Sequence, residues 1–210
     1  FRESSGAVGW KNVCDAEERN EADNLMKLLL ANLSDMVDDT GGLAKVHCSF
    51  ANEMKQRGHD VAMVFCDDKI GKPFFPVDDG VELYNLQHYE DTDILFPKCL
   101  KVKREIIRAF STQRARAVNN EFVEEYLLKS ANSILHKFSP DIIISFQPAA
   151  SKLFLCDLET KIPVITMNHG TTEDIFHTYP QAEIPALGKS AACQVLLPIF
   201  AEPIKKRFPK

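Results

Sequence analysis

The sequence predicts an α/β protein built on a doubly wound parallel sheet, in one domain that spans residues 26–210. Short apolar runs of strand length recur along the chain. Segments with helical periodicity separate these runs, as in successive βαβ units. The chain has 210 residues, 45% of them hydrophobic, which is enough material for one sizeable core.

The first βαβ unit shows this pattern clearly. We expect a buried strand over 27–33, a helix over LAKVHCSFANEMKQRG and a second buried strand over VAMVFC, joined by a right-handed crossover. Asp39 or Thr40 is expected to cap the helix, and Gly58 to end it in a left-handed conformation. Four apolar residues at helical spacing predict its buried face: Leu43, Val46, Phe50 and Met54.

The later elements continue the alternation. Residues 1–25 are a polar lead-in or linker, and 170–185 are expected to form a loop. Asn119 or Asn120 is predicted to cap the second of two consecutive helices, which Pro140 follows as a stop signal. Strands are expected over 81–86, 141–146, 162–168 and 193–198, and helices over 97–118, 120–138, 148–159, near 186–191 and from 199 onward.

Composition and charge argue against several classes of protein. The net charge is −5, with 25 Lys and Arg against 30 Asp and Glu, which disfavours nucleic acid as a partner. The longest uncharged runs, 190–201 and 162–172, are shorter than the roughly 20 residues of a membrane-spanning helix, and we expect no signal peptide. Six cysteines without a CxxC pair indicate free thiols in a reducing compartment, with no disulfide framework and no metal site.

Polar residues follow the predicted strand ends. In a doubly wound sheet, ligands bind at the carboxyl ends of the strands, near the point where the strand order reverses. We therefore expect one shared rim, which comprises Ser34, Asp35, Asp38, Asp39, Thr40, Gly41 and Gly42 after the first strand, Asp67 and Asp68 after the second, Gln147 and Pro148 after the fourth, and His169, Gly170, Thr171 and Thr172 after the fifth.

Two features of this rim indicate chemistry. Gly41 and Gly42 open a helix, where free N–H groups favour a phosphate, although a flexible turn explains the pair equally well and neither GxGxxG nor a P-loop motif is present. His169 follows an apolar strand and precedes a glycine, so we expect its imidazole at an exposed tip, able to bind a sugar hydroxyl or exchange a proton. Glu173 and Asp174 could serve as a base, but solvated loop carboxylates are the simpler interpretation. The other five histidines are interpreted as core or surface residues.

The segment 98–118 is strongly basic, with seven Lys or Arg residues and one Glu. A basic helix attracts an anionic lipid surface or a phosphate-bearing acceptor, at about 1 kcal/mol per cation near such a surface. The alternative is a solvated helix paired with acidic neighbours. Few aromatic residues interleave the segment, so single-stranded nucleic acid is not favoured. The predicted patch consists of Lys101, Lys103, Arg104 and Arg108.

Four stretches resemble family 4 glycosyltransferases in their order and spacing. MKLLLANLSDMVDDTGGLAKVHCSFANEMKQRGHDVAMVF is similar to the family's opening strand, glycine loop, helix and second strand. SPDIIISFQPAA, IPVITMNHG and LGKSAACQVLLPIF are similar to its later strand segments. The resemblance runs from Met26 to the end of the sequence. It implies the Rossmann-like N-terminal half of a two-domain GT-B enzyme, a hexosyltransferase type that retains the anomeric configuration and needs no metal or other cofactor.

The resemblance also implies roles for single residues. Gly41 and Gly42 approach the donor phosphates, and His169 is the catalytic residue beside the reacting sugar. The acceptor or sugar contacts are Gln147, Asn168, Gly170 and Thr171. The implied partners are a nucleotide-sugar donor, a glycan or lipid-linked acceptor and an anionic membrane surface. The implied setting is surface polysaccharide synthesis (lipopolysaccharide or capsule), by a cytoplasmic protein bound peripherally to the inner face of the membrane.

The resemblance has one clear departure. The family's E-x7-E donor-binding region belongs to a second domain that is expected to begin near Lys210. We therefore expect these 210 residues by themselves to transfer little or no sugar. Two alternatives stay open: a non-catalytic Rossmann-like binding or scaffold module, and another nucleotide-dependent α/β enzyme of the same two-domain architecture, such as an epimerase.

Overall fold

The computed structural model describes residues 25–209, in which strands and helices alternate. Residues 1–24 of the predicted lead-in lie outside the described residues. The strands are β1 (Lys27–Ala31), β2 (Asp60–Phe65), β3 (Glu82–Asn85), β4 (Ile142–Ser145), β5 (Val164–Met167) and β6 (Ala192–Gln194). The helices are α1 (Gly42–Gln56), α2 (Lys98–Arg108), α3 (Thr112–Phe122), α4 (Leu128–Phe138), α5 (Pro148–Lys152), α6 (Thr172–Thr178), α7 (Ile184–Lys189) and α8 (Ala201–Arg207).

The strands form one parallel sheet in the order β3-β2-β1-β4-β5-β6. The central strand β1 pairs with β2 through Leu28 and Val61, and with β4 through Leu28 and Ile142. The strand order reverses between β1 and β4, which is the arrangement that defines a doubly wound sheet. The predicted fold class is therefore confirmed.

The core lies on both faces of this sheet, because successive strand residues point to opposite sides. Leu29 belongs to a cluster with Phe122 and Phe154, under the helices that precede and follow β4. Leu30 belongs to a second cluster with Met63 on the face covered by α1. Both faces are buried, which explains why the strands are continuous apolar runs in the sequence.

Helix α1 packs on the sheet through a different face from the one predicted. Val46 is 41% exposed, so its assignment to the core was wrong. The fully buried positions are Ala44, His47, Cys48 and Ala51, whose mostly small side chains let the helix approach the sheet closely. The larger predicted side chains flank this face and are partly buried: Leu43, Phe50 and Met54.

The two ends of α1 differ in how well they were predicted. Gly41 is the N-cap and no side chain caps the helix; Asp39 instead accepts a hydrogen bond from the Gly41 N–H at 2.8 Å, so the predicted Asp39 or Thr40 cap was wrong. At the other end Gly58 has a φ of +90°, as expected. Its N–H donates to the Lys55 carbonyl at 2.9 Å and the His59 N–H to the Met54 carbonyl at 3.2 Å, which completes a Schellman motif.

The predicted boundary between the helices over 97–118 and 120–138 was wrong. The chain breaks at 109–111, where the Ser111 hydroxyl accepts a hydrogen bond from the Arg114 N–H and starts α3. From there it stays helical through a π turn, Val123–Leu127, into α4. Asn119 and Asn120 lie inside α3 and cap nothing, because the apolar face continues across them.

The C-terminal third departs from the prediction in three places. The expected loop over 170–185 contains α6, and the helix expected over 148–159 is α5 followed by a π turn. The sixth strand is shorter than 193–198, because β6 is an edge strand that pairs with β5 alone and leaves Leu196 and Leu197 exposed. Within 25–209 no helix has the length and apolarity to cross a bilayer. The described cysteines are free thiols: Cys48, Cys66, Cys99, Cys156 and Cys193.

Candidate substrate-binding rim

The rim lies where β1 and β4 end side by side. Asn32 follows β1 and Gln147 follows β4. The Gln147 amide donates to the Asn32 side-chain oxygen at 2.8 Å and approaches the Ser34 hydroxyl at 3.4 Å. The structure thus joins two of the predicted rim residues, Gln147 and Ser34, across the point where the strand order reverses.

A chain of buried hydroxyls supports this turn from below. The Ser145 hydroxyl donates to the Gln147 carbonyl at 2.7 Å and accepts from the Ser151 hydroxyl at 2.8 Å. Ser151 and Thr166 are 2.6 Å apart, and Thr166 and Ser190 also 2.6 Å. These four hydroxyl residues are fully buried, so the backbone of Gln147 is held from β5 and α7 as well as from β4.

The buried ring of Phe146 connects β5 to α1. Its centroid lies 5.8 Å from that of His169, with the two planes 6° apart, and 4.5 Å from that of His47. Because Gly41 and Gly42 open the helix that carries His47, Phe146 brings the imidazole of His169 toward that helix. The link is indirect, through Phe146 and His47. Sequence reasoning did not single out Phe146, since it read as one more apolar strand residue.

His169 is half-buried rather than at the exposed tip that was expected, because its ring rests on Phe146. Burial lowers its pKa below the usual value, so the imidazole is neutral near pH 7. Its Nε2 is buried and receives no hydrogen bond from the described residues. A neutral imidazole offers one donor and one acceptor nitrogen, which suits a hydroxyl ligand.

The two glycines differ in the space around them. A side chain at Gly42 would meet nothing within 4 Å, whereas one at Gly41 would lie 2.9 Å from an Asp39 oxygen. No side chain caps α1, and its first turn contains no acidic residue. Asp39 already accepts the Gly41 N–H, so the N–H groups that could bind an anion are those from Gly42 onward.

An acidic depression of about 350 Å³ adjoins this helix start. Partial desolvation, and then the charges of Asp67 and Asp68, raise the pKa of Asp35. In the part of the chain that the structure describes, no three His, Cys, Asp or Glu side chains are grouped as metal ligands. The depression is lined by Ser34, Asp35, Val37, Asp38, Asp39 and Lys69.

Asp67 has a structural task in the loop beneath this depression. Its side chain is 1% exposed, and one of its oxygens accepts hydrogen bonds from the N–H groups of Met36 and Val37, both at 2.7 Å. The other oxygen accepts from the Lys69 N–H at 2.9 Å. Asp67 therefore ties the loop after β1 to the loop after β2 rather than facing a ligand.

The predicted contacts after β5 are placed differently from one another. Asn168 is 2% exposed and turned toward β6: its backbone N–H and its side-chain amide both point at the Gln194 carbonyl, at 3.0 and 3.4 Å. Gly170 is half-buried, and Thr171 is exposed, with its carbonyl accepting from the Ile175 N–H in the first turn of α6. The side chains of Thr172, Glu173 and Asp174 lie outside the described residues.

The predicted basic patch lies on the surface of α2, and its members have neighbours in the protein. The ion pairs are exposed, so each stabilises the fold by about 1 kcal/mol at most. Asp68 lies in the loop after β2, so its ion pair with Lys101 places the patch beside the rim. Lys101 pairs with Asp68 at 3.4 Å, Lys103 with Glu121 at 2.6 Å and Arg108 with Glu105 at 2.9 Å, while Arg104 lies over the Phe96 ring at 5.0 Å and also contacts Glu105.

A polar stripe on α3 was missed by sequence reasoning. Gln113, Arg116 and Asn120 lie three and four residues apart, and therefore on one face of the helix. This spacing was the signal, but Asn120 was interpreted as a cap. The stripe contacts the segment that follows α6 in the chain. Gln113 donates to the Tyr179 carbonyl at 2.8 Å, Arg116 lies over the Tyr179 ring at 4.9 Å, and Asn120 donates to a Glu183 oxygen at 2.9 Å.

Glu183 is the buried acid of this contact. It is 2% exposed, and burial raises its pKa to about 7, against the opposing effects of the Asn120 hydrogen bond and the Arg116 charge. Its second oxygen receives no hydrogen bond from the described residues. The charge of Glu183 therefore changes near neutral pH inside the packing between α3 and α7.

Comparison with known proteins bears on the fold alone. No protein-family model and no curated protein matches the sequence. An alpha-glucosyltransferase in complex with UDP and a 13-mer DNA containing an HMU base is similar over 77% of this chain and 34% of that one, at 12% identity and a TM-score of only 0.34.

A sucrose-phosphate synthase from Thermosynechococcus elongatus is similar over 87% of this chain, at 11% identity and a TM-score of 0.55. The match covers 45% of the synthase, so this chain spans less than half of its length. At this identity the likeness extends to the fold and not to the activity. The described chain therefore has a Rossmann-like α/β fold that it shares with part of the sucrose-phosphate synthase structure.

Proposed function

We propose that this chain is the acceptor-side half of a retaining glycosyltransferase, which moves a sugar from a nucleotide sugar to a glycan or a lipid-linked acceptor. The observation that carries the proposal is the contact of Phe146 with both His47 and His169. It joins the imidazole to the helix that the two glycines open. The fold shared with a sucrose-phosphate synthase agrees with this assignment.

The helix start supplies the site for the donor diphosphate in this proposal. The open backbone at Gly42 and the positive end of α1 would stabilise the negative charge that grows on the diphosphate as it leaves. The neighbouring carboxylates of Asp35, Asp38 and Asp39 repel phosphate but accept hydrogen bonds from hydroxyl groups. This asymmetry supports a diphosphate on the Gly42 side and a sugar acceptor in the depression.

We assign the catalytic role to His169, whose imidazole would contact the reacting sugar. Its neutral imidazole would hydrogen-bond a donor hydroxyl and fix the sugar. The bond between the anomeric carbon and the diphosphate oxygen breaks, and a bond to the acceptor hydroxyl oxygen forms on the same face. The hydroxyl proton leaves with the diphosphate. Gln147, Gly170 and Thr171 are proposed to contact the sugar or the acceptor, and Asn168 to hold the β5 end of the site.

The test is a transfer assay on the protein at its full natural length. Radiolabelled nucleotide sugars are incubated with a membrane lipid extract, and the label that enters the organic phase is counted. We expect His169→Ala to lower kcat/KM by about tenfold or more, the value of one lost transition-state hydrogen bond. His136→Ala removes an exposed histidine at the end of α4 and should leave transfer unchanged.

Two results would count against the proposal. Equal transfer by the wild type and His169→Ala would remove His169 from the mechanism. Saturable binding of a nucleotide sugar with no transfer to lipid or to added oligosaccharides would favour a non-catalytic binding module on the same rim.

A further inference from the structure

Helix α2 exposes apolar side chains that nothing in the described chain covers. No residue of α2 is buried, and Leu100 alone packs partly against the core. On another face, Val102, Ile106 and Phe110 are 59%, 61% and 87% exposed. They are spaced by four residues, so they form one continuous stripe along the helix and the turn after it. Three large apolar side chains aligned in this way indicate a binding surface rather than scattered surface residues.

Basic residues border this stripe. Lys101 and Lys103 flank Val102, while Lys98 precedes it by one turn. The ion pairs of Lys101 with Asp68 and of Lys103 with Glu121 are exposed, and so weak enough to exchange for other anions. The whole chain carries a net charge of −5, so an anionic surface repels most of the molecule and attracts this helix. An apolar stripe between cations matches the boundary between lipid headgroups and acyl chains.

We propose that Val102, Ile106 and Phe110 form a membrane-docking stripe, which inserts into an anionic bilayer while Lys98, Lys101 and Lys103 bind its headgroup phosphates. The proposal rests on the proposed function, in which the acceptor is lipid-linked, and it assigns the apolar contact that the basic patch alone lacks. Lys101 also pairs with Asp68 in the loop after β2, so a docked α2 brings this loop, which contributes Lys69 to the acidic depression, close to the lipid surface.

The experiment measures co-sedimentation of the protein with phosphatidylcholine vesicles, with and without phosphatidylglycerol, in the absence of nucleotide sugar. We expect binding to the anionic vesicles that Ile106→Ser with Phe110→Ser weakens by about tenfold or more, since it removes most of the stripe and no charge. The matched control is Leu25→Ser with Ile199→Ser. Leu25 precedes β1, at the end of the sheet opposite the rim, and Ile199 follows β6, at the other side of the sheet from β3. This variant also removes two exposed apolar side chains and should bind as the wild type does.

A fluorescence measurement reports insertion directly. The sequence has a single tryptophan, so Trp10→Phe with Phe110→Trp places the only probe on the stripe. We expect a blue shift and quenching by brominated acyl chains with anionic vesicles, and neither effect when the probe is at the exposed Leu25 instead. The proposal is overturned if the protein does not bind vesicles, or if the stripe variant binds them as the wild type does. It is also overturned if the protein is a dimer that the stripe variant dissociates, because the stripe would then bind a second copy of the chain. Vesicle binding without sugar transfer contradicts the proposed function only.

Discussion

Phe146 is the residue through which the sheet, α1 and His169 meet. The imidazole has its lowered pKa because it is desolvated, and the Phe146 ring covers one of its faces. We expect Phe146→Leu to raise the pKa of His169 toward its ordinary value, measured by following the ring proton signals during an NMR titration. Phe50→Leu is the control, because Phe50 meets Phe146 edge-on at 5.7 Å and has no ring contact with His169 among those described. An unchanged pKa in Phe146→Leu would show that other groups desolvate the imidazole.

Alanine substitutions at Gly41 and Gly42 are expected to affect the stability of the fold and the binding of the nucleotide sugar differently. We expect Gly42→Ala to raise the free energy of unfolding by roughly 0.5–1 kcal/mol, since the new methyl group meets no atom within 4 Å and alanine favours helix. The same methyl group occupies the approach to the helix start, so the KM for the nucleotide sugar should rise. Gly41→Ala forces Asp39 to move and should destabilise the fold. Urea unfolding and initial rates give both values, and an unchanged KM in Gly42→Ala would place the diphosphate elsewhere.

At the scale of elements, α3 holds the segment after α6 in place, in part through the buried side chain of Glu183. The folded-state pKa of Glu183 is about 7, above its ordinary value of 4.5, so the folded protein keeps a proton that the unfolded chain has lost. The contribution of this bound proton to the free energy of unfolding is therefore complete below pH 4.5, and it is lost as the pH rises to about 7. We expect Glu183→Gln, which still accepts the Asn120 hydrogen bond, to exceed the wild type in stability at pH 8 by up to about 3 kcal/mol and to match it near pH 4.

The measurement is urea unfolding across this pH range, with Glu202→Gln as the control because Glu202 is exposed on α8. A pH dependence that survives in Glu183→Gln would assign it to another group. If Asn120→Ala folds as the wild type does but transfers less sugar, α3 also positions the segment around Glu183 for activity.

Over the whole molecule, two buried groups shape the response to acid. His47 is fully buried, and desolvation lowers its pKa to about 3, although the Leu30 carbonyl opposes the shift. The unfolded chain takes up a proton near pH 6.5 that the folded protein excludes, so His47 makes stability fall as the pH drops from 6.5 toward 3. Between pH 4.5 and 6.5 this slope opposes that of Glu183, and we expect nearly constant stability there and a steep fall below.

His47→Leu should remove the steep fall, because an apolar side chain of similar size titrates nothing. Thermal unfolding from pH 3 to pH 8 gives the comparison, and Glu183→Gln in the same series should instead restore a slope between pH 4.5 and 6.5. Equal acid sensitivity of His47→Leu and the wild type would contradict this account of His47.

The order of the elements follows from the sequence. Apolar runs such as 61–65 predict buried strands, and Gly58 predicts the end of α1, because these signals act between neighbours along the chain. The parallel topology then places Ser34, Gln147 and His169 at one edge of the sheet, as expected. The predicted roles of these residues remain predictions.

The tertiary structure decided which side chains meet. Segments far apart in the chain are joined by the contacts of Phe146 with two histidines and by the hydrogen bond from Asn120 to Glu183. Packing between distant segments also explains why His47 is buried and Val46 is not. Periodicity along one element shows that a face is apolar, but not which small or polar residue the facing element admits. Such contacts depend on packing and desolvation, which arise only when distant segments are brought together.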